Sequence, residues 1–256
     1  RMDGAFPWRY NRWESGQSTP VDGAVIDEGL VRIHVNGQEL TPLMATPRDL
    51  DLLALGFLRS EGIIQRREDV QLVEVRPNQM CVDVWLRDLA VELPSRPILT
   101  SGCGGGVTFD DLSQLAPPVA SQRQVAAQQV VNGMQQLASA ATLYRETRGV
   151  HTSALSDGQQ LLAVAEDVGR HNTVDKLWGY CLQRDLDPAG QMLLATGRVS
   201  SEMLNKAAKM GVPVVASRTS PTSLSVRLAQ EWNILLIGYV RGRSFNSYAS
   251  QWRLIL

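Results

Sequence analysis

No apolar run in this sequence approaches the ~20 residues that a membrane-spanning helix needs. The opening stretch RMDGAFPWRYNRWESGQSTP lacks the apolar core and small-residue cleavage site of a secretory leader. Both absences lead to the expectation of a cytoplasmic protein with no membrane partner. An Arg at position 1 in place of Met is what a fragment or an added leader would show. Cysteine is scarce: Cys81, Cys103 and Cys181 are the only three in 256 residues. They stand too far apart for a disulfide framework or a structural zinc motif, so no metal bound by the protein itself is expected. An excess of charge of one sign is missing too. A balance of 25 Lys and Arg against 26 Asp and Glu leaves a net charge of −1, which makes no case for nucleic acid as a partner.

Several enzyme signatures are absent as well. GCGGGV at 102–107 is not followed by the Lys-Ser/Thr of a P-loop, and no GxGxxG opens a helix after a strand. Neither H-x-E nor P-C-x-x-C occurs, which excludes a zinc deaminase at the motif level, and the lipase-type G-x-S-x-G is missing. No carboxylate cluster of the kind that supports metal-assisted phosphohydrolysis stands out.

What remains is an ordinary globular composition, 44% apolar and 20% charged, in a chain long enough to bury a core without staples. Two domains are expected. Residues 1–20 read as a mobile N-terminal segment, 21–97 as a small α+β domain, 98–107 as a Gly-rich cysteine loop, and 108–256 as an α/β layer domain. Within the first domain, LVRIHVNGQELTPLMAT reads as a hairpin because Asn36-Gly37 supplies two positive-φ positions. In TPRDLDLLALGFLRSEGII, Thr46 is expected to cap a helix and Pro47 to occupy its first position. Leu50, Leu53, Ala54, Phe57 and Leu58 form its apolar face. VQLVEV and MCVDVWL read as two further strands.

In the second half, Val130, Met134, Leu137, Ala141 and Tyr144 share one face of a helix over about 122–145. HTSALSDGQQLLAVAE is hairpin-like about Asp157-Gly158, and Val174, Leu177, Trp178, Cys181 and Leu182 mark another amphipathic helix. The last third alternates strand QMLLAT, helix SSEMLNKAAKM, strand PVVAS, helix PTSLSVRLAQEW and strand ILLIGYV. That alternation predicts parallel pairing with crossovers.

In such a sheet, ligands bind beyond the carboxyl ends of the strands. The three loops expected there, TGRVSSE, SRTSPTS and GYVRGRS, carry Arg198, Arg218, Arg241 and Arg243 with Ser200, Ser220, Ser223 and Ser244. Arginine matches phosphate geometry, so the cluster points to a phosphorylated or nucleotide-like ligand. Pairing with surface acids, with the serines capping helices, is the bland alternative. His151, ahead of a strand, and Asp167, Arg170 and His171, at the start of a helix, are further pocket candidates. His34, alternating with Arg32 and Asn36, reads as exposed.

Among the thiols, Cys181 falls on an apolar stripe and reads as a core filler, and Cys81, alternating with Asp83 and Trp85, reads as inert or half-buried. Cys103 is different. Gly102, Gly104, Gly105 and Gly106 around it remove neighbouring side chains and let backbone N–H groups turn towards an anion, which favours the thiolate. It is either a nucleophile built to move sulfur between partners or an incidental residue in a linker.

Seven segments occur together and in order as in the formate dehydrogenase accessory sulfurtransferase family, FdhD: ALGFLRSEGII, SGCG, GVHTSAL, EDVGRHNTVDKL, GRVSSEM, SRTSPTSLSVRLA and GYVRGRSFNSY. The resemblance spans about residues 40–250. It implies a cytoplasmic homodimer whose larger domain has a cytidine-deaminase-like fold without the zinc chemistry. It implies a factor that takes persulfide sulfur from a cysteine desulfurase and passes it to the molybdenum bis(molybdopterin guanine dinucleotide) cofactor, bound as substrate, before insertion into apo formate dehydrogenase. By position, Cys103 matches the persulfide-bearing cysteine, and Tyr239, Val240, Arg241, Gly242, Arg243 and Ser244 match the cofactor-binding segment. Arg198, Arg218 and His171 join that set from the residue reading above. One departure stands out: many members carry Cys-x-x-Cys in the loop, and here the second position is Gly106. The competing expectation is a chaperone that binds and delivers a guanine-containing cofactor without sulfur chemistry.

Overall fold

The computed structural model describes residues 3–76, 80–94, 98–99, 107–108 and 118–255, with backbone alone at 98–99 and 107–108. Its first element was not expected. Within and beyond the segment read as mobile, β1 (Ala5–Glu14) and β2 (Gln17–Ile26) pair antiparallel over ten residues each. Ser15 and Gly16, both at positive φ, make the two-residue turn between them. Only Ala5 at the base of this ribbon is buried, against Leu143 and Val150. Phe6, Trp8 and Tyr10 line one face in the open, and Trp13 on the other face is 72% exposed.

β3 (Gly29–Val35) and β4 (Gln38–Ala45) form the expected hairpin, with Asn36 at φ 50 and Gly37 at φ 80. With β5 (Val70–Arg76) and β6 (Cys81–Leu86) they make a four-stranded sheet in the order β4-β3-β6-β5. Helix α1 (Leu50–Ser60) covers one face, packing Leu53, Phe57 and Leu58 on Val31, Ile33, Val82 and Val84. The helix starts later than the sequence suggests. Its N-cap is Asp49 in a left-handed conformation. Thr46 Oγ1 is instead engaged by the Val168 backbone N–H at 3.1 Å. A contact distant in sequence thus overrides a local capping preference.

Short strands β7 (Ile98–Leu99) and β8 (Val107–Thr108) pair antiparallel. Cys103, its flanking glycines and Gly106 lie outside the described residues. After them come β9 (Val125–Ala126), α2 (Ala127–Ala140) and α3 (Thr142–Thr147), so the single helix expected over 122–145 is two helices broken at Ala141. The expected hairpin is β10 (His151–Ser156) with β11 (Leu161–Asp167), followed by α4 (Arg170–Arg184).

The alternating last third is β12 (Met192–Ala195), α5 (Ser201–Lys209), β13 (Val214–Ser217), α6 (Ser223–Glu231) and β14 (Leu235–Arg241), with the three strands parallel as expected. The chain turns at Gly242-Arg243 into β15 (Ser244–Ala249), antiparallel to β14, and closes with β16 (Leu254–Ile255) beside β9.

The resulting six-stranded sheet runs β11-β10-β12-β13-β14-β15. Every residue of β12 and β13 is buried. Leu193, Ala195 and Val215 face a core built with α4, α5 and α6, whereas Met192, Leu194, Val214 and Ala216 face α2. The fold is therefore mixed α/β: a helix-sheet-helix sandwich joined to a smaller α+β layer. Among the described residues no helix is long and apolar enough to cross a membrane.

The two layers meet where α1 crosses α4, and two glycines let the backbones touch. A Cβ added at Gly179 would lie 1.9 Å from the Leu52 carbonyl oxygen, and one at Gly56 would lie 1.6 Å from that of Asp175. Alanine favours a helix over glycine by about 1 kcal/mol, but here the clash is with backbone, which cannot rotate away. Gly179→Ala is expected to destabilise the protein by about 3 kcal/mol. That loss is about 6–12 °C in thermal midpoint, measurable by circular dichroism.

Candidate functional site

At the carboxyl edge of β12, β13 and β14 lie two adjoining cavities of about 520 and 530 Å³. Both are lined by Tyr144, Arg148, Thr196, Arg218 and Arg241, which makes them one groove with a shared basic waist. Arg145 adds a fourth guanidinium to the first cavity, and His151 lines the second. The far wall of the first is apolar, from Val131, Met134 and Leu137 on α2 and from Val240. Among the described residues, no carboxylate lies within ion-pair distance of Arg145, Arg148, Arg218 or Arg241. Among the described residues the groove thus presents positive charge beside a hydrophobic wall, and it suits a polyanion with an attached flat or apolar group.

Each side of this groove is positioned by buried polar contacts. Arg218 follows β13, its N–H bonded to the Ala195 carbonyl at 3.0 Å. Beside it, Ser217 Oγ donates to Gly197 O at 2.6 Å and Thr219 Oγ1 to Thr196 O at 3.2 Å, stitching two strand ends together. Arg241 ends β14 after a bulge, in which Gly238–Arg241 on β14 oppose only Ser244–Asn246 on β15. Tyr239 takes φ 55 there, which turns its ring outward and drops Val240 into the α2 core. Gly242 at φ 60 opens the tight turn that follows. The α3 side is set by Glu166, whose buried carboxylate accepts from Leu143 N at 2.8 Å and Tyr144 N at 2.9 Å, and from Thr152 Oγ1 at 3.2 Å. Tyr144 is thereby fixed, and Arg148 stacks on its ring at 5.2 Å.

The residues singled out in the sequence divide between the groove and its surroundings. Arg218, Val240, Arg241 and Gly242 line it, as does His151. Tyr239 sits under the Arg241 guanidinium at 5.7 Å. Ser244 Oγ donates to the Arg241 carbonyl at 3.1 Å, and Arg243 is exposed on the hairpin turn. Arg198 is exposed and lines neither cavity. His171 also lines neither: its Nε2 lies 3.1 Å from Ser200 Oγ and 3.0 Å from Glu202 Oε2, which ties α4 to α5. Ser200 itself caps α5 by accepting from Met203 N. Asp167 is an internal strut, described in the Discussion.

Burial, then the charges of Arg170 and His171, holds the His151 imidazole below its ordinary value. His151 is thus neutral at pH 7 and offers a hydrogen bond without charge. Arg145, Arg148, Tyr144 and Thr196 were not singled out as site residues. The signal available was YRETRGVH, two arginines and a tyrosine at helical spacing just before the GVHTSAL segment.

Two described thiols are poor nucleophiles. Burial pushes Cys181 up to about 12, and burial followed by the Asp83 charge raises Cys81.

Comparison with known proteins bears on the whole chain. The model of the FdhD/NarQ family matches residues 26–255. A protein from Staphylococcus haemolyticus named sulfur carrier protein FdhD is 36% identical over 248 residues, covering 95% of this chain and 94% of that one. A protein of the same name from Staphylococcus aureus is 36% identical over 249 residues with the same coverage. Among solved structures, a protein from Desulfotalea psychrophila assigned as a formate dehydrogenase accessory protein superposes with a TM-score of 0.81. It shares 25% identity and covers 98% of this chain and all of that one.

Proposed function

The chain belongs to the FdhD/NarQ family, and from that premise we propose that it is a cytoplasmic sulfur carrier for the maturation of a formate dehydrogenase. The carrier atom is Cys103 Sγ. In the first step the Cys103 thiolate attacks the outer sulfur of a cysteine desulfurase persulfide. The donor's S–S bond breaks, its cysteine leaves as a thiolate, and Cys103 holds the new persulfide with no net change in oxidation level. In the second, the outer sulfur passes to the molybdenum bis(molybdopterin guanine dinucleotide) substrate. Delivery as sulfide takes two electrons, and with Gly106 where many relatives have cysteine, an external thiol supplies them by closing a disulfide with Cys103.

The observation that supports this substrate is the groove. Three guanidiniums, Arg148, Arg218 and Arg241, surround one waist beside an apolar wall, with no carboxylate partner among the described residues. A nucleotide diphosphate would lie across the arginines with its ring system against α2. Guanosine diphosphate is a simple probe of that half of the reading. Its affinity is expected to fall roughly 10- to 100-fold in Arg218→Ala and again in Arg241→Ala, because each removes a charge-assisted contact worth about 1.5–3 kcal/mol. Calorimetric titration of the two variants checks this, and an affinity equal to wild type in both would remove the groove from the account. Family resemblance also supports a homodimer with a cytidine-deaminase-like larger domain, which sedimentation and an experimental structure would test.

A further inference from the structure

His34, Cys81 and Asp83 were read as an exposed residue, an inert thiol and its neighbour, but the sheet brings them together. β3 and β6 are parallel, with Arg32 opposite Cys81 and His34 opposite Asp83. Alternation sends Ile33, Val82 and Val84 into the α1 core, and places His34, Cys81 and Asp83 on the face away from α1. There, His34 Nδ1 lies 3.0 Å from Cys81 Sγ and 3.5 Å from Asp83 Oδ1, and Cys81 Sγ lies 3.6 Å from Asp83 Oδ1. One donor atom from each residue fits within 4.8 Å of the others.

We propose that these three side chains form a zinc(II) site on the open face of the small sheet. A tetrahedral zinc ion with one sulfur, one nitrogen and one oxygen ligand sets its donors about 3.3–3.5 Å apart, and the observed triangle needs only small adjustments to meet that. The donor chemistry is selective. A thiolate and an imidazole disfavour calcium and magnesium, and the mixed set with a single sulfur suits zinc among the common ions. The surroundings match those of a bound metal. Glu39 Oε2 is 3.7 Å from His34 Nε2, placed to orient the ring from its far side. Arg76 Nε is 2.9 Å from Asp83 Oδ2, which leaves Oδ1 for the ion. The ion would replace the Cys81 thiol proton, released to solvent, and would take water at its fourth position, since His34 and Asp83 are only partly covered. Such a site clamps β3 to β6 and stands apart from the arginine groove.

The test uses the full chain stripped of metal and titrated with zinc chloride, or with cobalt(II) as a coloured stand-in. One equivalent is expected to bind, with a thiolate-to-cobalt charge-transfer band. Cys103→Ser is expected to keep both, whereas Cys81→Ser and His34→Gln lose about 100-fold in affinity and Glu39→Gln about 10-fold. Zinc should raise the thermal midpoint of wild type and not of the His34→Gln variant. Absence of stoichiometric binding, or a band that vanishes in Cys103→Ser, overturns the proposal. If Cys81→Ser does not fold, the wild-type band together with the His34→Gln and Cys103→Ser titrations still decides.

Discussion

Cys103→Ser is expected to reduce formate dehydrogenase maturation by at least about 100-fold, because a hydroxyl at that position can neither take nor hold a sulfane sulfur. After incubation with a desulfurase and cysteine, tandem mass spectrometry is expected to show an added sulfur on the Cys103 peptide of the wild type and none at that position in the Cys103→Ser variant. It should still bind guanosine diphosphate, since none of the groove residues is altered. That pairing separates the two readings of the family resemblance. A carrier loses maturation and keeps ligand affinity, whereas a cofactor chaperone keeps both. The same experiment bears on Gly106. If an external thiol completes release, raising its concentration should speed turnover of the loaded wild-type protein, which lacks a local thiol partner at that position.

Lys176→Met is expected to be the most damaging substitution outside the loop. Lys176 Nζ and Asp167 Oδ2 are 2.6 Å apart with side chains 1% and 0% exposed. Nζ also reaches the carbonyls of Thr46 at 3.4 Å and Glu166 at 3.3 Å. Asp167 accepts from Thr46 N at 3.1 Å, Gly169 N at 2.7 Å and Asn172 Nδ2 at 2.8 Å. One buried pair therefore fastens the chain before α1 to the start of α4. Removing the cation alone leaves a carboxylate in a site with no solvent, which costs about 3–5 kcal/mol. Urea denaturation should show that loss in the single variant. Asp167→Asn with Lys176→Met removes both charges, keeps an acceptor for Gly169 N and Asn172 Nδ2 while giving up the one for Thr46 N, and should recover more than half of it. Equal loss in the single and double variants would show that packing, not charge, governs the junction.

The sequence made some of this legible because the signals were local. Asn36-Gly37 allows little but a tight turn, and the strand-helix alternation of 192–241 has one natural pairing. Arg218 and Arg241 came together because both follow parallel strands in that unit. Other features depend on contacts far away in the chain. Thr46 looks like a helix cap until Val168, 122 positions later, takes its hydroxyl. Arg145 on α3 and Arg148 just past its end reach the groove because Glu166, on a distant strand, sets the position of that helix. Arg198 follows β12 by three residues where Arg218 follows β13 by one, and with Val199 bridged to Pro221 it is left facing outwards. Periodicity offered no hint that His34 and Cys81, 47 residues apart, would meet, because which strand lies beside β3 is settled by the whole sheet.

The β1–β2 ribbon has a consequence of its own. Among the described residues no layer covers either side of this two-stranded ladder, so it is held mainly by its own cross-strand contacts and by Ala5, Ala24 and Ile26 at its root, and such ladders are marginal in water. Its amides can therefore open without disturbing anything behind them, while those of β13 open only when the sandwich itself comes apart. One short chain thus spans nearly the full range of opening free energies. The readily released ribbon is also the segment that carries Phe6, Trp8, Tyr10 and Trp13 into solvent.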